Sequence, residues 1–151
     1  MELPLRMKTT ILWSATAAGA VGIPGAFAAH ADVGVLVGIW TTLLIRLAYL
    51  SGEQLEKAKA AKIAAGAIGG VSAMTLGVKF GATYFAYTGV GTVPAIVVNA
   101  GANAPLTYLF GKSAASIFLS EGTQESVAEI VKSIIALIIG RRPNDPDVGA
   151  A

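Results

Sequence analysis

The sequence predicts an all-α, membrane-embedded fold: about four embedded helices arranged as hairpins, followed by an amphipathic C-terminal helix. Three observations predict it. The 151 residues are 54% hydrophobic and only 13% charged, about half the charge of an ordinary soluble domain. Mean hydropathy is +0.67, too apolar for a globule that must cover itself with polar surface in water. The charges are also segregated, leaving charge-free stretches at 9–29, 33–45, 63–78 and 80–111. A spanning helix needs about 20 mostly apolar residues. The first and last stretches qualify directly, and the middle two qualify when extended past Arg46 and Lys79, whose long side chains can reach headgroups.

The first helix is expected over about 8–21, ending at the turn Gly22-Ile23-Pro24-Gly25. Ala26-Phe27-Ala28 after a basic, apolar start resembles a leader cleavage site, but the late turn favours a retained helix. The second helix is expected over about 25–50, closed by Ser51-Gly52, with His30 and Asp32 in its early turn. Glu53 and Glu56 suit the positive end of a third helix running to about 88. Gly89-Val90-Gly91-Thr92 turns the chain into a fourth helix over about 93–120. Thr123 is the expected N-cap of the last helix, which ends near Ile139 with Gly140 as terminator. That helix is short, which suits an interfacial position or a cap on a neighbouring subunit. The division is therefore a membrane domain at 1–120, an amphipathic helix at 121–140 and a tail at 141–151.

The most informative pattern is a stripe of small residues. Gly66, Gly70, Ala73, Gly77 and Gly81 share one face of the third helix. Ala100, Ala104, Thr107, Gly111 and Ala115 form a matching row on the fourth. Small residues four apart let helices approach closely, a leading cause of association where hydrophobic transfer gives little. The two rows are expected to face each other as a tight antiparallel hairpin. The plainer reading is that glycine is common in membrane helices, but its alignment on one face favours packing.

Five polar residues stand in this apolar setting: His30, Asp32, Lys79, Asn99 and Asn103. Pro105 removes a backbone donor and should bend the fourth helix near Gly101. Amides at that depth more often bond a neighbouring helix than line a pore. Lys79 can snorkel, pair with Asp32 or face a water-filled space, and snorkelling is favoured.

Several chemistries are disfavoured. No cysteine is present, so thiolate catalysis and Cys-ligated metal centres are out. One histidine beside Asp32 makes neither a convincing triad nor a metal site, and no cofactor motif is recognised. Gly111-Lys112-Ser113 lacks the upstream glycine of a phosphate-binding loop. A net charge of +2, with basic residues flanking the spans, argues against nucleic acid. The chain reads as a non-enzyme.

Gly22-Ile23-Pro24, Asp32 and Tyr49 to Gly52, with Gly89-Val90-Gly91-Thr92, Asn99-Ala100, Thr107 to Gly111 and Phe118, form a recurring pattern over about 10–120. This pattern resembles the YcjF-like hydrophobic domain, which is often linked to small GTPase domains in bacteria. The resemblance implies a membrane module serving a partner, with a soluble GTPase as that partner, and it supplies no catalytic residues. No GTPase domain lies in this sequence. The expectation is a self-associating scaffold or anchor, a homo-oligomer in the lipid bilayer of a bacterial inner membrane with cytoplasmic termini. The alternative is a homo-oligomeric pore built on the five polar residues. Basic residues other than Lys79 fall on one side of this topology, in line with the positive-inside rule.

Overall fold

The computed structural model describes residues 2–25, 33–70 and 92–138. The described residues are helical, with no strand among them. In chain order the helices are α1 (Leu5–Gly25), α2 (Val33–Leu50), α3 (57–70), α4 (Thr92–Ser120) and α5 (Val127–Ile138).

α1 is longer than expected at both ends. The Pro4 carbonyl accepts from Lys8 N–H and opens the helix, and the helix then continues through the Gly22-to-Gly25 segment expected to be a turn. Pro24 lies in the last turn, where it comes too late in the helix to break more than one backbone bond. α2 ends where the sequence indicated. Gly52 adopts a φ of +85°, and Glu53 N–H reaches back to Ala48 O while Gly52 N–H reaches Tyr49 O. That pair of bonds is a Schellman cap, which needs a left-handed residue and so favours glycine.

α3 starts at 57 rather than 53. The Glu56 carbonyl accepts its first helical bond from Ala60, so Glu53 lies in the preceding loop. α4 keeps Pro105 inside a continuous helix.

α5 corrects the expected cap. Its N-cap is Ser126: Ser126 Oγ accepts Glu129 N–H, and Glu129 Oε2 accepts from both Ser126 N–H (3.0 Å) and Ser126 Oγ (2.7 Å). This reciprocal pair is a capping box. It holds the Glu129 carboxyl below the usual carboxylate range, chiefly through the Ser126 hydroxyl.

α1 packs most extensively along α4, with α2 against both and α5 against α4. Leu3, Met7, Ile11, Ala15 and Ala18 bury one edge of α1. Of these, Met7 and Ile11, with Leu3 just ahead of the helix, join one core cluster with Trp40, Leu43, Leu44 and Leu47 of α2, Ala60, Ile63, Ala64 and Ala67 of α3, and Phe110, Ala114 and Phe118 of α4. From α5, Ile130 and Ile134 are fully buried while Val127, Val131 and Ile138 pack around them, the face its periodicity selects.

The beginning of α1, the end of α2, the start of α3, the end of α4 and the start of α5 gather at one end. Among the described residues, Glu2, Arg6, Lys8, Arg46, Glu53, Glu56, Lys57, Lys59, Glu121 and Glu125 belong to these segments.

α2 is the one helix among the described residues that is long and apolar enough to cross a membrane, with a mean hydropathy of 1.9. Four spans are not established among the described residues, and 39% of α2 is buried within the chain.

Candidate functional site

No cluster of three or more metal-ligating acids or histidines forms among the described residues. The structure instead offers three arrangements: close helix crossings, a polar junction between loops, and an outward groove.

The crossings involve the predicted small residues, but with different partners. A side-chain carbon placed on Gly66 would come within 3.1 Å of Val131 Cγ2 of α5, and one on Gly70 would run into Ile135. At the described end of the α3 stripe, Gly66 and Gly70 therefore lie beside Val131 and Ile135 of α5 while staying exposed. α5 is too short to pair with a full span, but its apolar face fits the groove that two glycines open. On α4, a carbon added to Gly111 would lie 3.0–3.1 Å from Ile11 of α1 and Leu43 of α2. Gly111 thus marks a three-helix crossing. Most of the stripe-to-stripe hairpin expected from the sequence, Ala73, Gly77 and Gly81 with the turn at 89–91, lies outside the described residues.

Thr107 is fully buried one turn from Gly111. Trp40 Nε1 donates to Thr107 Oγ1 at 2.8 Å, and the Trp40 ring stacks on Phe110 with centroids 3.9 Å apart and planes 14° from parallel. Asn103, one turn earlier, is buried as well, inside the single-chain core. Ala104 is half-buried. The side chains of Asn99 and Ala100 lie outside the described residues, as do Ala73, Gly77, Gly81, His30, Asp32 and Lys79. Gly111-Lys112-Ser113 lies within α4, with its first and last residues buried, so its amides belong to the helix.

The loop junction was not anticipated. Lys59 Nζ donates to the carbonyls of Thr123 and Glu125, both at 2.6 Å. Thr123 Oγ1 bonds Gln54 O at 3.1 Å and Glu53 Oε2 at 3.3 Å. Thr123 is therefore not a helix cap but a buried tie between the α2–α3 and α4–α5 loops. Gly122, at a φ of +77°, lets the loop pass over Glu53. No short motif announces this junction, because its partners are 64 to 70 residues apart. The Ser126/Glu129 box, by contrast, was readable as a Ser-x-x-Glu spacing.

Large apolar residues stand on outward faces of α1, α2 and α4. Trp13 is 72% exposed, and Leu5, Leu12, Val35, Tyr108 and Leu109 also face outward. Hydroxyls on these faces are turned inward: Thr9, Thr10, Thr16 and Thr42 each donate to the carbonyl four residues earlier. Self-satisfied hydroxyls let polar residues face an apolar medium without an orphan donor.

Two hollows follow each other along the α1–α2 seam. One of about 400 Å³ lies at the charged end, between Arg6, Thr9, Thr10, Arg46 and Tyr49. The other, about 570 Å³, lies further along between Trp13, Ala17, Val35, Gly38 and Thr42. Comparison with protein-family models, curated proteins and solved structures yields no match for the chain.

Proposed function

We propose that the protein is an integral membrane anchor, a non-enzymatic scaffold whose embedded helices hold a charged end against the aqueous phase for a soluble partner. One observation carries the reading: apolar outward faces with self-bonded hydroxyls on α1 and α2, set against a single end where loops and charges collect. In this reading α1 to α4 are all embedded, and α5 lies beside Gly66 and Gly70 of α3. Exposed Glu56, Lys57, Lys62 and Glu121 give the partner a mixed-charge surface, and the resemblance to YcjF-like domains suggests a GTPase. The termini and this end lie in the cytoplasm of a bacterial cell, as the basic flanks favour.

Self-association belongs to the same reading and draws on the small residues of the sequence that continue through Ala73, Gly77 and Gly81. The pore alternative draws less support, since Asn103 faces the core of one chain.

Extraction and labelling test the proposal. The chain should stay with membranes through an alkaline carbonate wash. A single cysteine at Ser51 should resist an external reagent in intact cells while one at Val90 reacts. Release by carbonate, or equal labelling of both, overturns the reading. Solute flux through reconstituted vesicles would turn it towards the pore.

A further inference from the structure

We propose that the α1–α2 groove is a binding site for one anionic phospholipid, its headgroup phosphate held between Arg6 and Arg46. This rests on the membrane reading above and adds a ligand to it.

The charge pattern comes first. Arg6 and Arg46 line the same hollow, on different helices. Among the described residues the ion pair is Lys8 with Glu2 at 3.0 Å, and neither arginine takes part in one. No carboxylate lines the hollow. Two exposed positive residues thus border one hollow, and an anion bound between them would relieve their mutual repulsion. The guanidinium fork suits a phosphate, which it can bond through two parallel N–H donors.

The remaining donors fit the same occupant. Thr9 and Thr10 have committed their hydroxyl protons to their own helix, so phosphate recognition falls to the arginines. Tyr49 is 79% exposed at the rim, where an aromatic with a polar tip belongs at a bilayer interface.

The second hollow says what kind of anion. Moving along the seam from Arg46, the lining turns apolar at Thr42, Gly38 and Val35, faced by Trp13 and Ala17. Nothing lies within 4 Å of a carbon placed on Gly38, so the groove floor is open. From Arg46 to Val35 is eleven residues, about 16 Å of helix. That is about one leaflet of a hydrocarbon core roughly 30 Å thick. A charged pocket continued by an apolar trough one leaflet deep has the shape of a phospholipid. A free phosphate or nucleotide would leave the trough unused.

The test uses the full chain in neutral detergent, with phosphatidylglycerol or phosphatidylcholine carrying brominated acyl chains. Trp13 lines the trough while Trp40 is buried, so bromine should quench the Trp13 emission, and Trp13→Phe should remove the quenchable part. Phosphatidylglycerol should quench at a concentration at least about tenfold lower than phosphatidylcholine, the scale expected of charge-assisted bonds. Arg6→Gln with Arg46→Gln should erase that preference, whereas Arg6→Lys with Arg46→Lys should keep part of it. Circular dichroism checks that the variants remain helical, and the lysine pair keeps the test decisive if the glutamine pair unfolds.

Equal quenching by both lipids overturns the proposal. So does inorganic phosphate that displaces phosphatidylglycerol at equal concentration, which would mean a free-anion site. A trough closed to lipid, with Gly38→Leu halving the particle mass in light scattering, would assign the groove to a second copy instead. A chain that carbonate releases from membranes loses the membrane reading altogether. A chain that resists carbonate but shows no lipid preference loses this proposal alone.

Discussion

Replacing Thr107 by valine keeps the shape of the side chain and removes only the oxygen that receives the Trp40 indole N–H. Trp40 is 2% exposed and Thr107 is fully buried, so neither water nor lipid can replace the 2.8 Å bond. An orphaned buried donor costs about 1–3 kcal/mol in water-soluble proteins. Membrane proteins report less, about 0.6 kcal/mol on average, because helices loosened within the bilayer find other partners. The indole here is further clamped by its stack on Phe110 and cannot swing to a new acceptor. We therefore expect Thr107→Val to cost about 1–1.5 kcal/mol, within the range for an orphaned donor. At about 2–4 °C per kcal/mol for a chain of this size, the midpoint should fall by a few degrees. Trp40→Phe removes the donor as well as ring volume and should cost more alone. In that background Thr107→Val should be nearly neutral, giving a coupling of about 1–1.5 kcal/mol. Detergent-solubilised protein followed by circular dichroism suits the cycle, since Trp40→Phe alters the fluorescence. A Thr107→Val effect that is equal in both backgrounds would refute the claim that this bond ties α2 to α4.

Gly66→Leu should lift α5 from α3 at a cost of about 1–3 kcal/mol. Val131 is β-branched and cannot turn aside, so amide exchange in α5 should rise. Gly69→Leu, with nothing within 4 Å, should leave α5 exchange unchanged. Ser126→Ala should destabilise α5 by about 1 kcal/mol, read as faster exchange at its first turn. Glu129 contributes by having its folded pKa held down. Its contribution is thus present above the unfolded value near 4.5 and lost as pH falls through the lower folded value. The protection of amides at the start of α5, relative to their free exchange rates at each pH, should therefore be constant from pH 6 to about 4.5 and fall below it, and Glu129→Gln should abolish that dependence.

Much of the helical framework was legible because it follows from local chemistry. The Ser51-Gly52 stop at the end of α2, the apolar face of α5 and the span of α4 all depend on residues within a turn or two of one another. Thr107 and Gly111 were legible as close-packing positions for the same reason: their size and spacing mark a face of the helix. What they face was not legible. Periodicity defines a stripe on one helix but carries no information about which neighbour occupies it, so the approach of Val131 and Ile135 of α5 to Gly66 and Gly70 could not be read from the spacing. Thr123 misled for a related reason. A threonine ahead of a helix satisfies the local rule for a cap, but Ser126 has the glutamate three residues later, and Thr123 has Gln54 and Lys59 brought to it by the fold. The run through Pro24 was missed because a Gly-Ile-Pro-Gly sequence reads as a turn unless packing along α4 holds the helix.

If the outward faces lie in lipid, the hydrophobic effect cannot hold these helices to each other, because detaching one exchanges protein contacts for equally apolar lipid. Cohesion must then come from contacts that lipid cannot imitate. The structure has them at two levels along the bundle. At mid-depth, Gly111 admits Ile11 and Leu43 to backbone distance while Trp40 bonds Thr107, tying three helices at one height. At the charged end, Lys59 gathers the carbonyls of the far loop and Thr123 bonds the near one. Lys59→Met tests the division between them: it retains most of the apolar stem and removes the ammonium. Both accepting carbonyls belong to the loop that leads into α5. The variant should therefore loosen residues 121–126 and the start of α5 in amide exchange, while exchange around Trp40 and Thr107 stays as in the unaltered chain. Faster exchange at both levels would mean that the bundle is held as one unit, with the loop junction bearing on the α2–α4 seam.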